Sequence, residues 1–532
     1  MIPAKSRRSQ DEATVIFRQD VSTAIPGLGV IVMAAGLGKR MKSRLAKVLH
    51  PVAGRPMVVH VVELALRLAD RGVAVVVGYQ GEEVRRALER EWPAMAGAAS
   101  GIQIVTQSQQ LGTGHAVLQA RCVFSEQVRH SPSRYLILNG DTPLLSEETV
   151  RHLLLVHEEK KAAVTLLTAV VDDASGYGRV VRIGEPRREG APDGPVCKIV
   201  EEKDASAGER LVREINVGTY VVDGGFLFPA LERLDPRNAQ GEYYLTDIVH
   251  MAVERNSTVT AWRLSQVDEG LGINTRAQLA EAERVIRQRI RERWLDAGVT
   301  MRDPASTWID AGVTIGRDTL LYPQVALEGS TMVGEETVIH SGARITDCTI
   351  GNRVTVLDHC VLKESSVEDD AIVGPFAHLR PGAVLRRKAK VGNFVEMKKA
   401  ELGEGSKANH LSYLGDARIG KGVNIGAGTI TVNYDGVKKY QTVIEDNASV
   451  GSDTQLIAPV TIGHGAYIAA GTTVTQDVPP DALTLSRVPQ MNKPGWAARR
   501  RALQEDVKQS QSGSKKAESS SKAKGLQRKK RR

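Results

Sequence analysis

The sequence predicts an α/β chain in two parts, a mostly parallel sheet covered by helices and then a parallel β-helix, joined by one long helix. Three observations predict it. Short apolar runs alternate with helical patterns from residue 30 to about 275, the pattern of a parallel sheet with crossover helices. Aliphatic residues recur every six positions from residue 309, the mark of stacked β-helical coils. Aromatic residues make up only 4% of the 532 residues beside 50 glycines, which suits a narrow interior filled by medium aliphatics.

Residues 1–28 carry charges but no apolar stretch of secretory length, so they read as a flexible N-terminal extension and not a signal peptide. The first domain spans 29–275. Its strands are predicted at 30–35 (VIVMAA), 73–78 (VAVVVG), 102–106 (IQIVT), 135–139 (YLILN) and 162–171 (AAVTLLTAVV), with helices over PMVVHVVELALRLAD and EEVRRALEREW. Such sheets bind ligands at the carboxyl ends of their strands. The glycine turn after residue 35 and the NGD after the 135–139 run both fall there. Residues 276–298 form the linker. Leu279, Ala282, Ile286, Ile290 and Trp294 stand at three- and four-residue steps, the apolar stripe of one amphipathic helix.

The second domain spans 299–496. Ile309, Ile315, Leu321, Leu327, Val333, Ile339 and Ile345 fall at intervals of six. Val373, Leu379, Leu385, Val391 and Met397 repeat the spacing, as do Ile444, Val450, Leu456, Ile462, Ile468 and Val474. Neither a helical nor a two-residue period gives this pattern with small residues next door. Five-residue steps at 345–350, 362–367 and 397–402 are local slips, and residues 430–443 (ITVNYDGVKKYQTV) should loop out.

Residues 497–532 are predicted to be a basic, disordered tail. Its end, 514–532, holds nine Lys/Arg and one Glu, so nearly all of the net charge of +9 belongs to it. With Leu526 and a few alanines as its apolar content it cannot bury a core. A solubilising terminus is preferred over contact with nucleic acid. The four cysteines (Cys122, Cys197, Cys348, Cys360) have no metal spacing and point to a reducing compartment. No run is long and apolar enough to span a membrane, and a cytoplasmic location is expected.

The stretch AAGLGKRM, 34–41, raises a phosphate-binding device. A Walker loop needs a glycine five residues before Gly38 and a Ser/Thr after Lys39; Arg40 stands there instead. The dinucleotide fingerprint needs a third glycine where Met41 stands, and an acidic residue about twenty positions on, which is lacking. What survives is a glycine turn with cations on both sides, Gly36 and Gly38 with Lys39, Arg40 and Lys47.

That turn resembles the signature of sugar-nucleotidyl transferases, with Lys39 in place of the usual threonine and Ala46 in place of the usual proline before the lysine. Further matches follow in order: QSQQLGTGHA (107–116), NGDTPL with Asp141, SGYGRV with Gly178, IVEEKDA with Glu201, EINVGTY with Asn216 and GINTR with Asn274. With a hexapeptide half attached, residues 29–496 resemble the bacterial bifunctional N-acetylglucosamine-1-phosphate uridylyltransferase / glucosamine-1-phosphate N-acetyltransferase family. The resemblance implies a Rossmann-like nucleotidyltransferase domain, a linker helix, and a left-handed parallel β-helix assembled as a homotrimer.

For the first half it implies Mg²⁺-dependent attack of N-acetylglucosamine 1-phosphate on UTP, releasing pyrophosphate. Asp141 and Asn274 would hold Mg²⁺, and Arg40 and Lys47 would act on the phosphates. Met33, Ala34, Ala35 and Gly36 would line the nucleotide site, Gln107, Gly112 and Thr113 would read the uracil, and Gly178, Glu201 and Asn216 would hold the sugar. For the second half it implies acetyl transfer from acetyl-CoA to glucosamine 1-phosphate, with His410 as general base. Arg380, Lys398, Tyr413 and Asn424 would bind the sugar phosphate. Ala427, Asn433, Tyr434, Ser452, Ala470 and Arg487 match positions on the acetyl-CoA side. Two other readings stand beside this one. The β-helix could serve only to oligomerise a sugar-1-phosphate nucleotidyltransferase, or the chain could be a scaffold without catalysis.

Overall fold

The computed structural model describes residues 24–36, 38–93, 101–125, 132–183, 194–486 and 488–508. The expected flexible segment 1–23, Arg487 and the tail beyond residue 508 lie outside the described residues.

Seven strands form the spine of the N-terminal sheet: β1 (Leu28–Ala34), β2 (Val73–Val77), β3 (Ile102–Thr106), β4 (Arg134–Asn139), β5 (Val164–Val170), β6 (Glu214–Asp223) and β7 (Val259–Arg263). Their spatial order is β7-β5-β6-β4-β1-β2-β3. All neighbours are parallel except β6, which runs antiparallel to β4 and β5. A hairpin, Arg179–Arg182 with Val196–Val200, joins the edge of β6. Alternate residues of β1 enter opposite faces: Val30 and Val32 pack into one cluster, Ile31 into the other. The predicted helices run over Met57–Leu68 and Gly81–Glu91. Leu28, placed in the N-terminal extension by sequence, is fully buried in β1, because pairing with Arg134 carries the strand further back.

The linker helix runs over Arg276–Asp296 and buries Ala282, Ile286, Ile290 and Trp294. Its start is fixed by a reciprocal cap between Thr275 and Gln278. From Thr300 to Thr484 the chain winds through three parallel sheets of eleven, ten and nine short strands. Every aliphatic residue of the six-residue series is buried. Val338 pairs with Leu320, eighteen residues before it, and with Thr355, seventeen after it. The five-residue slip at 345–350 therefore shortens one coil without breaking the ladder.

Two expectations are corrected. Residues Ile430–Val432 and Thr442–Ile444 stay in the coil, so the inserted loop is shorter than 430–443. It closes through a bridge between Tyr434 and Lys439, with Asp435 Oδ1 accepting from the nitrogens of Val437 and Lys438. Residues 496–508, mostly assigned to the disordered tail, are helical with every side chain exposed. Alanine, arginine, leucine and glutamine favour a helix there even without a core to bury. No helix among the described residues is long and apolar enough to cross a membrane.

The halves meet at the linker helix. Arg287 bonds Glu283, the Ile309 carbonyl and Asp310, and its guanidinium lies 4.5 Å from the centre of the Trp308 ring. Ala53 of the first domain donates its nitrogen to Glu283, and its carbonyl accepts from Ala311 at 2.9 Å.

Candidate active sites

Two adjoining pockets lie at the carboxyl ends of β1 and β4, beside the amino-terminal half of the antiparallel β6. The first, about 330 Å³, is lined by Met33, Ala35, Gly36, Lys47, Gln107, Gly112, Thr113 and Asp141, all predicted, together with Gln110, Asn139 and Glu242. The second, about 230 Å³, shares Met33, Thr113, Asn139 and Asp141 and adds Gly178, Glu201, Asn216 and Asn274, with Tyr177 and Thr246. The predicted nucleotide and sugar residues thus separate into two compartments that share Asp141. Ala34 lies in the core beneath them, almost fully buried.

Glycine is required at two points of this wall. Gly38 has φ +62° and a Cβ there would stand 2.5 Å from Lys47 Cβ, so the lysine stem crosses it closely. Gly112 has φ +109°, and a Cβ there would collide with the Tyr243 backbone. Gln107, nearly buried, directs its Nε2 to the Gly112 carbonyl at 3.1 Å and to His115 Nδ1 at 3.0 Å. Gln110 donates to the Ala35 carbonyl at 3.2 Å and ties the two loops together. In the second pocket, burial pushes the Glu201 carboxyl up, and the Thr246 hydroxyl donates to it at 3.1 Å. Asn216 accepts from Gly218 N and donates to the Tyr220 hydroxyl. Arg40 is exposed; a Cβ at Gly176 would stand 3.7 Å from its Nη1, which puts it beside that pocket.

At the junction of the pockets the Lys47 ammonium bonds Asp141 Oδ2 and, at 3.0 Å, Asn274 Oδ1. A cation already sits between the two oxygens expected to ligate Mg²⁺. Hard oxygen donors on both sides of one positive charge suit that ion, which takes one or two protein oxygens and keeps its waters.

On the coil, His410 ends the strand Lys407–His410 and opens onto a cavity of about 550 Å³. Ile372, Lys390, Asn393 and Asn409 also line it. The Asn409 Oδ1 is buried with no hydrogen-bond partner among the described residues. Consecutive coils stack the predicted acetyl-CoA positions above His410. Gly428 N bonds the Leu411 carbonyl, Asp453 N the Ala427 carbonyl and Gly471 N the Ser452 carbonyl, so Ala427, Ser452 and Ala470 form one corner column.

Arg380, Lys398, Tyr413 and Asn424 do not line the His410 cavity. Arg380 and Lys398 end successive turns of the neighbouring sheet, where Arg380 pairs with Glu396 at 2.6 Å. The charges of Lys439 and Arg380 hold the Lys398 ammonium below its ordinary pKa, the mark of a cation cluster able to take an anion. Asn433, buried, donates to Asp416 at 2.5 Å, while Tyr434 stands exposed on the loop. Sequence reasoning missed Asn139, although it lay in the quoted NGD. It also missed Lys439, whose place beside Lys398 follows only from closure of the loop.

Residues 30–215 match the MobA-like NTP transferase domain, and 441–476 the bacterial transferase hexapeptide. Fold and pockets define the class: a nucleotidyltransferase head fused to a hexapeptide-repeat transferase coil. The bifunctional protein GlmU of Pelobacter propionicus is 48% identical over 472 residues, 89% of this chain and 98% of its own. Those of Exiguobacterium sibiricum and Geobacillus thermodenitrificans are 48% and 47% identical, over 88% of this chain and 99% and 98% of theirs. The chain belongs to the GlmU family of bifunctional enzymes, with a uridylyltransferase half and an acetyltransferase half.

Proposed function

We propose that the chain makes UDP-N-acetylglucosamine in two steps, each on its own domain, with boundaries near residues 29–275, 276–298 and 299–496. In the first step His410 removes a proton from the ammonium of glucosamine 1-phosphate. The free amine attacks the acetyl-CoA carbonyl, and coenzyme A leaves as the thiol. Arg380 and Lys398, with Lys439 beside them, hold the sugar phosphate; Tyr413 and Asn424 hold its hydroxyls. Ala427, Ser452 and Ala470 form the seat for acetyl-CoA, extended by Asn433, Tyr434 and Arg487.

In the second step the phosphate of N-acetylglucosamine 1-phosphate attacks the α-phosphorus of UTP and pyrophosphate leaves. Asp141 and Asn274 would hold Mg²⁺, which neutralises phosphate charge when bound. Lys47, tethered to both oxygens, and Arg40 supply the protein's own cations to the triphosphate. Gln107 and the Gly112–Thr113 turn orient the base, and the Gly178, Glu201 and Asn216 wall orients the sugar.

Separation of the His410 cavity from the Arg380–Lys398–Lys439 cluster on one coil supports a homotrimer, in which a neighbouring coil completes each acetyltransferase site. Four free cysteines suit a cytoplasmic enzyme. The observation that carries the reading is the lysine held between Asp141 and Asn274, on a domain separate from His410. Its test follows free thiol and pyrophosphate separately. Asp141→Ala should abolish pyrophosphate release and leave thiol release intact, and His410→Ala should do the reverse. Loss of both activities in one folded variant would refute it.

A further inference from the structure

His410 faces Asn393 across one rung of the parallel ladder, and the two residues are direct register partners. In such a pair the side chains stand on the same face, about 4.8 Å apart along the coil axis. Here they meet: His410 Nδ1 lies 2.7 Å from Asn393 Oδ1. An amide oxygen can only accept, so Nδ1 carries the proton and Nε2 keeps its lone pair. The opposite tautomer would press two acceptors together at that distance.

The surrounding corner fixes this geometry. Phe394 and Leu411, the residues after Asn393 and His410, both turn the chain in the left-handed region, with φ of 55° and 45°. Side chains of these types rarely adopt it. Leu411 N bonds the Asn393 carbonyl at 3.0 Å, and Phe394 N bonds the Phe376 carbonyl at 3.2 Å. The Phe376 and Phe394 rings stack at 5.4 Å. Three successive coils are thereby locked in register, which keeps Asn393 directly against the imidazole.

We propose that Asn393 is the positioning residue of the acetyltransferase site, holding His410 in the Nδ1–H tautomer so that Nε2 is the base that receives the substrate ammonium's proton. This inference rests on His410 being that base. Asn393 touches no substrate in this role; it acts through the imidazole, which becomes a cation when Nε2 is protonated and then donates more strongly to Asn393 Oδ1. The ionisable group lining the cavity with His410 is Lys390. Lys407 lies three residues earlier on the same strand, and the coil above presents Asn424, Gly426 and Ala427, all uncharged.

The test is the pH profile of thiol release by full-length Asn393→Asp and Asn393→Leu proteins, with pyrophosphate release from the other domain as the folding control. A carboxylate at 393 still accepts from Nδ1 and favours the imidazolium. Asn393→Asp should therefore keep activity and move the acidic limb of the kcat profile up by about one unit or more. Asn393→Leu should lower kcat roughly 10- to 100-fold, with KM for glucosamine 1-phosphate and acetyl-CoA little changed. An Asn393→Asp limb that coincides with the parent's would overturn the proposal, as would an unchanged kcat in Asn393→Leu. Should the leucine variant misfold, the aspartate profile decides alone. Thiol release that survives His410→Ala would instead refute the base itself, a failure distinct from that of Asn393.

Discussion

The nitrogen of Ala46 donates to Gln80 Oε1 at 2.6 Å, a bond impossible for the proline that the family's motif has there. Gln80 also donates to the Arg44 carbonyl at 3.0 Å, so one side chain clamps the turn that leads into Lys47. The φ of Ala46, −56°, is still one that proline would adopt. A hydrogen-bonded clamp has replaced a ring constraint at the same backbone geometry. Gln80→Ala should raise KM for UTP several-fold and leave acetyl transfer untouched, which initial-rate assays of both activities would show. Gly38→Ala should be harsher, because it forces a left-handed residue against the Lys47 stem; pyrophosphate release should fall by at least an order of magnitude. Asp141, Asn274, Lys47 and His410 were legible in the sequence because each sits in a motif whose context could be read along the chain. Asn393 and Lys439 were not, since their partners, His410 and Lys398, lie 17 and 41 residues away in sequence and are brought near only by coil stacking and loop closure.

Among the elements, the linker helix does more than separate domains. Its cap couples to Asn274, at the junction of the two N-terminal pockets: Gln278 Oε1 accepts from both Thr275 N and Asn274 N, at 3.0 and 2.8 Å. Thr275→Ala should cost about 1 kcal/mol of stability and raise the Mg²⁺ concentration needed for half-maximal pyrophosphate release. A second element-scale prediction concerns the helix Glu147–Lys160, where His157 is buried against Thr165. Burial, reinforced by the charge of Arg134, pushes its pKa down to about 4. The folded chain therefore disfavours a proton that the unfolded chain accepts below about 6.5. Stability should fall as pH drops from 6.5 toward 4, and His157→Gln should blunt that fall in melting curves. Strands with uninterrupted apolar runs were readable directly, and so was the hexapeptide coil, because a six-residue period with buried aliphatics matches no other element. β6 was not. Gly218 breaks its apolar run at the register shift between Asn216 and Tyr220, so local pattern gave a motif where the sheet has a central antiparallel strand.

One continuous core runs from Val52, Ala53 and Met57 of the first domain through Trp294 of the linker helix and into the coil. Arg287 and Glu283 lie beside it and tie both domains to the same helix turn. The junction is packed like a domain interior, so the two catalytic halves are held as one body while their sites remain separate. Trp294→Ala should destabilise the protein by about 3–5 kcal/mol, seen as an earlier unfolding transition and not as selective loss of either activity. Mixing the Asp141→Ala and His410→Ala proteins tests the two-site architecture most directly. Supplied with glucosamine 1-phosphate, acetyl-CoA, UTP and Mg²⁺, neither variant alone should form UDP-N-acetylglucosamine. An equimolar mixture should form it, because N-acetylglucosamine 1-phosphate released by one protein is consumed by the other. A mixture that stays inactive while both proteins are folded, or a single variant that makes the product unaided, would contradict two separate sites joined by a common intermediate.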